Sequence, residues 1–110
     1  MTTRKVVLRE KAERDVDDAI NFCIAEGGSD VALRFVDELE RALQHIAAHP
    51  DSGSGRYSTE LDIPQLHHWP MRRFPYLIFY VFGAETVDVW RVLHGKRDIP
   101  QSMHSGVGEK

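Results

Sequence analysis

Two segments in the first half of the chain carry apolar residues at the spacing of an amphipathic helix. The first segment has them at Ala12, Val16, Ala19, Ile20, Cys23 and Ile24, and the second at Ala32, Phe35, Val36, Leu39, Ala42, Leu43, Ile46 and Ala47. The glycines at 27–28 separate the two segments, and Pro50 should end the second near His49. Ser29 or Asp30 is the expected N-cap of the second helix. The pattern therefore predicts an antiparallel helical hairpin.

Four shorter segments have the β-branched and aromatic residues that are typical of strands. They are residues 4–9, 66–73, 76–82 and 86–93. Only short turns separate the last three, which predicts an antiparallel meander. Pro70 cannot donate a hydrogen bond to a ladder, so its strand should be irregular there or lie at an edge of the sheet. Residues 49–65 are rich in Gly, Ser, Asp and Pro and should form an irregular loop.

These elements predict a single α+β domain at residues 1–99. Its order is an N-terminal strand, the helical hairpin and the three-stranded meander, with the helices packed on one face of an antiparallel sheet. The strand at 76–82 is apolar on both faces, and one hairpin can cover only one of them. The other face should be covered by the chain's own tail or by a partner, and we favour the partner. The tail at residues 100–110 is expected to be flexible unless something docks on it.

The composition excludes several classes of protein. The 110 residues are 42% hydrophobic, which fits one small globular domain. No apolar run reaches the length of a membrane span, and the charged N-terminus is not a signal peptide, so a cytoplasmic protein without a membrane partner is expected. Cys23 is the only cysteine, which excludes an intramolecular disulfide, and its place in the apolar stripe predicts burial.

The charge is unevenly distributed. The net charge of −3 argues against general binding to nucleic acid. Residues 1–50 contain seven Lys or Arg and ten Asp or Glu, whereas residues 66–98 contain five and three. The acidic pairs Asp17–Asp18 and Glu38–Glu40 are expected on solvated faces of the helices. An acidic helical half is thus joined to a mildly basic second half.

The histidines and glycines do not predict a metal or cofactor site. His67 and His68 are adjacent on a strand, so their side chains should point to opposite faces. His45 and His49 have the i, i+4 spacing of two ligands, but no carboxylate motif completes the set. The "GSGR" at residues 53–56 lacks the flanking strand and helix of a phosphate loop. We therefore expect no metal and no cofactor.

A basic group at the ends of the predicted strands is the best candidate for a functional site. Its members are Arg72, Arg73, Arg91, His94, Lys96 and Arg97. Guanidinium groups suit phosphate or carboxylate recognition, and a histidine could add proton transfer. The alternative is a set of solvated strand ends in which an arginine pairs with Asp88 or Asp98.

The order of elements, together with "RRFPYLIFYVF" and "VWRVLHGKRD", resembles the RelE/ParE toxin superfamily of bacterial toxin–antitoxin systems. Further matching pieces are "KAERDVDDAINFC" and "ALRFVDELERALQHIAAHPDSG", so that the resemblance covers residues 4–98 and is strongest to the ParE branch. It implies a toxin that arrests growth and that a ParD-like antitoxin neutralises. Such toxins serve functions such as plasmid stabilisation. For ParE it also implies DNA gyrase as the poisoned target, without sequence-specific nucleic-acid binding by the toxin alone.

RelE-like relatives instead cut messenger RNA on the ribosome, which leaves an enzymatic alternative. Such a ribonuclease needs an acid or base and cations around the phosphate, and Arg72, Arg91 and His94 are the residues to nominate. The chain beyond Arg97 contains no tyrosine, however, and residues 51–70 contain no lysine. We therefore expect a gyrase inhibitor without catalytic residues, in which the basic group binds target or antitoxin. An inactive binding module is the third possibility.

Overall fold

The computed structural model describes residues 3–97 and 99–108, which form both helices and strands. In chain order the elements are β1 (Lys5–Leu8), α1 (Glu10–Gly27), α2 (Ser29–Ala48), a 3₁₀ turn (Pro50–Ser52), α3 (Arg56–Glu60), β2 (His67–Pro70), β3 (Tyr76–Phe82), β4 (Thr86–His94) and α4 (Ile99–Gly108). The predicted α+β class, hairpin and meander are confirmed. The stretch expected to be an irregular loop differs, because it contains the 3₁₀ turn and α3.

The described strands form one four-stranded sheet in the order β1-β4-β3-β2. The meander is antiparallel, but β1 pairs in parallel with β4, with Val6 opposite Val87. The sheet is therefore mixed, and the expectation of a purely antiparallel sheet was wrong. The reason is topological: the hairpin returns the chain across the sheet, so β1 and β4 run in the same direction. β2 lies at an edge of the sheet, which is one of the two alternatives that Pro70 left open.

The helical hairpin packs on one face of the sheet and forms the larger core. Its buried helical residues include Ala12, Ala19, Cys23, Phe35, Leu39 and Ile46, which meet Ile78, Tyr80, Val87, Val89 and Val92 of the sheet. These helical positions are the ones predicted from the apolar period, and they include Cys23, whose thiol has its pKa raised by burial. Ile24 was expected on the same stripe, yet it is 48% exposed.

The chain itself covers the second face of the sheet. Leu66, Phe79 and Leu93 are buried there beneath Leu61, Ile99 and Met103. The sequence led us to favour a partner as the cover and to expect a flexible tail at residues 100–110. In the structure α4 instead docks through Ile99 and Met103, while residues 109–110 lie outside the described residues.

Gly28 makes the turn of the hairpin. Its φ of 84° is readily adopted by glycine, and its N–H donates to the carbonyl of Ile24. The same residue occupies the N-cap of α2, which has no side-chain cap hydrogen bond. The expectation that Ser29 or Asp30 caps this helix was therefore wrong. None of the helices within residues 3–97 and 99–108 is long and apolar enough to cross a membrane.

Candidate recognition site

Five of the six nominated basic residues gather around one end of the sheet. The strand pairing places Pro70 opposite Leu77 and Tyr76 opposite His94, so β2 ends where β3 begins and β4 ends. Arg72 and Arg73 follow β2, while Lys96 and Arg97 follow β4. All four side chains are exposed. This end of the sheet presents a cationic surface.

Arg91, the sixth nominated residue, is held in an internal ion pair. Its Nε and one terminal nitrogen donate to the two carboxylate oxygens of Asp15 at 2.7 and 2.9 Å. The other terminal nitrogen donates to the carbonyl oxygen of Ser102 at 2.8 Å, and Asp15 also accepts the backbone N–H of Val92 at 3.0 Å. The hydrogen bond with Asp15 raises the pKa of Arg91, whose residue exposure is 9%. Arg91 thereby fastens α1 and α4 to β4.

The sequence did not identify Asp15 as the partner of Arg91. Asp88, one of the expected partners, accepts two hydrogen bonds from Arg9 at 2.8 and 3.0 Å. Asp98, the other, lies outside the described residues. The available signal was the position of Asp15, which stands four residues before Ala19 and therefore on the buried side of α1.

A basic cavity of about 300 Å³ opens between α2, β2 and the turn that follows β2. Its lining residues are Glu38, Arg41, Ala42, His45, Trp69, Arg72 and Arg73. Glu38 is 7% exposed, so the expectation of a solvated Glu38 was wrong. One of its oxygens lies 3.9 Å from Arg41 and 3.7 Å from Arg73. The imidazole of His45 stacks on the Trp69 indole with the ring centroids 4.2 Å apart.

A second cavity of about 300 Å³ lies at the same end of the sheet, against α1. It is lined by Asp15, Asp18, Ala19, Phe22, Tyr76, Val92, His94 and Arg97. The His94 ring contacts the Tyr76 ring edge-on, and His94 Nδ1 accepts the backbone N–H of Lys96 at 3.1 Å. Arg72 and His94 thus line different cavities, and Arg91 lines neither of these two.

The other histidines pack among aromatic rings. His67 contacts Tyr80 on one face of β2, whereas His68 contacts Tyr57 on the other, as the adjacent positions predicted. Burial beside Arg56 lowers the pKa of His68. Nε2 of His45 lies 3.0 Å from the hydroxyl of Ser52. Across residues 3–97 and 99–108, no three His, Cys, Asp or Glu side chains are grouped in a way that could hold a metal ion.

The hairpin also exposes large apolar side chains to solvent. Phe22 is 55% exposed and Leu33 is 64% exposed. Phe22 borders the second cavity, so that an apolar side chain adjoins the guanidinium of Arg97 and the imidazole of His94. Such mixed surfaces of aromatic and cationic groups are typical of protein–protein contact sites.

Comparison with known proteins identifies the class to which this fold and surface belong. Residues 6–99 match a family model of toxins from type II toxin–antitoxin systems. That family is described as "ParE toxin of type II toxin-antitoxin system, parDE", and the chain belongs to it. The resemblance drawn from the sequence is therefore confirmed.

A solved structure has the same fold. It is described as "Chromosomal ParDE TA system from P. aeruginosa" and superposes with a TM-score of 0.69 at 17% identity. The match covers 84% of this chain and 96% of that chain. A search of curated proteins finds no match to this chain.

Proposed function

We propose that this member of the ParE family poisons DNA gyrase in the bacterial cytoplasm, where a cognate ParD-like antitoxin neutralises it. Membership of the family supports the toxin role, and the structural neighbour from a ParDE system supports an antitoxin partner. The exposed Phe22 and Leu33 on the hairpin are apolar surface that such a partner would cover. Gyrase is the target that the resemblance to ParE implies.

The observation that carries the choice of inhibitor over ribonuclease is the ion pair of Arg91. A ribonuclease of this fold would need cations and an acid or base within hydrogen-bond reach of one phosphate. The guanidinium of Arg91 instead donates to the Asp15 carboxylate and to the Ser102 carbonyl. Arg72 and His94 line separate cavities. The arrangement supports a protein that acts by binding its target, with the basic surface as the recognition site.

A supercoiling assay with purified protein, DNA gyrase and relaxed plasmid tests the proposal. We expect loss of supercoiling and accumulation of linear DNA that depends on gyrase. Replacing both Lys96 and Arg97 by Ala should weaken inhibition at least about tenfold if each loses a charge-assisted contact of ordinary strength. Arg34→Ala, which removes an exposed charge from α2, is the matched control and should leave inhibition unchanged.

The ribonuclease alternative predicts the opposite outcome in a parallel assay. Messenger RNA on translating ribosomes would be cut by the wild-type protein, and His94→Ala would abolish the cleavage without unfolding the domain. Cleavage of this kind, with gyrase unaffected, would contradict the proposed function. Folded protein that acts on neither target would indicate an inactive binding module.

A further inference from the structure

The basic cavity between α2 and β2 has more cationic donors than its own acceptor can use. Three guanidinium groups, those of Arg41, Arg72 and Arg73, face a single carboxylate, that of Glu38. The distances from Glu38 to Arg41 and Arg73 are 3.9 and 3.7 Å, which exceeds the length of a strong charge-assisted hydrogen bond. Arg72 has no hydrogen bond or ion pair to the part of the chain that the structure describes. The cavity therefore offers unused donors to an anion.

The wall of this cavity is a flat aromatic pair. The rings of His45 and Trp69 stack at an angle of 24°, and Nε2 of His45 lies 3.0 Å from the Ser52 hydroxyl. Stacked rings contact aliphatic carbon well, whereas the guanidinium forks contact oxygen. A ligand that fills the cavity should therefore combine a short aliphatic stem with an anionic end.

We propose that this cavity binds the carboxylate side chain of an acidic peptide segment from a protein partner. Asp and Glu have the required stem and a planar anion that matches a guanidinium fork. The volume of about 300 Å³ is sufficient for one such side chain. The net charge of −3 opposes a polyanion such as nucleic acid.

The antitoxin is the partner that we expect to carry this acidic segment. That assignment rests on the proposed function, because it presupposes a toxin that an antitoxin neutralises. The binding of a carboxylate by the cavity does not rest on it. The two statements can therefore fail separately, and the first experiment uses the toxin alone.

Nuclear magnetic resonance titration of the isotope-labelled full chain tests the cavity. The probes are acetyl-Ala-Glu-Glu-Ala-amide and the isosteric acetyl-Ala-Gln-Gln-Ala-amide, each added to millimolar concentration. We expect the Glu peptide to shift the indole N–H signal of Trp69 saturably. The indole signal of Trp90, which lies under the guanidinium of Arg9 instead, should stay in place and serves as an internal reference.

Variants of the exposed arginines show whether the shift belongs to this cavity. The double substitution Arg72→Ala and Arg73→Ala should weaken binding of the Glu peptide by at least about tenfold, as expected for the loss of charge-assisted hydrogen bonds. Arg34→Ala removes one exposed positive charge from α2 outside the cavity and should change the affinity by less than about twofold. If the double variant does not fold, Arg72→Ala alone decides, because its side chain has no partner among the described residues.

Three results would overturn the proposal. The first is equal binding of the Glu and Gln peptides, and the second is equal weakening by Arg34→Ala and by the double substitution. The third is tighter binding of a short single-stranded DNA to the same arginines, which would make the cavity a phosphate site. Once the antitoxin encoded beside the toxin is purified, the double variant should bind it more weakly. The double variant could instead bind the antitoxin as tightly as the wild type does, while the wild type still prefers the Glu peptide. That result would overturn only the assignment to the antitoxin.

Discussion

At the scale of single residues, Asp15 shows how one carboxylate can fix three parts of the fold. It accepts two hydrogen bonds from Arg91 and one from the backbone of Val92, and its side chain is 9% exposed. Arg91 in turn contacts the backbone of α4 through Ser102. Removal of one member of a buried pair leaves the other charge uncompensated, which costs far more than the loss of an exposed pair.

We predict that Asp15→Ala lowers the free energy of unfolding by about 3–5 kcal/mol. The matched control is Asp88→Ala, because Asp88 pairs with Arg9 in an ion pair whose side chains are 30% and 51% exposed. Exposed pairs contribute about 1 kcal/mol or less. Urea unfolding at neutral pH measures both variants. If the two cost the same, Arg91 is not held as the structure shows and is available for a ligand.

Tyr80 combines burial with a hydrogen bond that only its neutral form can donate. The hydroxyl donates to the carbonyl oxygen of Pro50 at 2.6 Å, and the residue is 0% exposed. Burial raises the pKa of Tyr80 to about 12. The hydroxyl thereby ties the centre of the sheet to the turn that follows α2.

The raised pKa of Tyr80 predicts a loss of stability at alkaline pH. An unfolded tyrosine ionises near pH 10, so the unfolded state loses this proton first, and stability falls as the pH rises from about 10 to 12. Between pH 8 and 11 the wild-type protein should lose about 1.4 kcal/mol more than Tyr80→Phe does. At pH 8 the variant itself should be destabilised by about 1–2 kcal/mol, because the Pro50 carbonyl loses its donor. Equal alkaline losses in urea unfolding would contradict the assignment.

At the scale of elements, the helices and strands differ in how far local sequence specifies them. The hairpin was predictable because α1 and α2 are long and strongly periodic and are joined by glycines. α4 was not, since its sequence "IPQSMHSGVG" contains proline, glycine and only a few apolar residues. What orders α4 is the apolar face of the sheet, where Ile99 and Met103 are buried.

The docking of α4 can be tested at Met103, which is 1% exposed. Met103→Ala should destabilise the protein by about 2–4 kcal/mol, as expected for truncation of a buried side chain. Leu33→Ala on α2 is the control, because this leucine is 64% exposed and should cost about 0.5 kcal/mol or less. Denaturant unfolding measures both. A cost for Met103→Ala close to that of the control would mean that the tail is flexible, as the sequence indicated.

At the scale of the whole molecule, both faces of the sheet are covered from within the chain. The hairpin packs on one face, and the segment from α3 to β2 packs on the other together with α4. The hairpin's outer side and the basic end of the sheet are open to partners. The two cavities at that end have separate linings, one against α2 and the other against α1. The gyrase and peptide experiments above address these surfaces one at a time.

The candidate site was predictable in its residue types but not in its grouping. The sequence placed six cationic or titratable residues at strand ends, and five of them do lie around one end of the sheet. The sequence could not predict that Arg91 is held in an internal ion pair, because its partner Asp15 is 76 positions away along the chain. Nor could the sequence predict that Arg41 and Glu38 of α2 line the basic cavity, since that depends on how α2 packs against β2.

The sequence by itself determined the helical hairpin, the antiparallel meander and membership of the ParE family, and through Pro70 it limited β2 to an edge or an irregular strand. Each follows from neighbours in the chain: apolar period, turn residues, a proline and a set of short motifs in order. Only the tertiary structure decided the parallel pairing of β1 with β4, the docking of α4 and the partners of Arg91 and Glu38. These depend on which distant surfaces meet, because the same side chain is solvated or buried according to the packing around it.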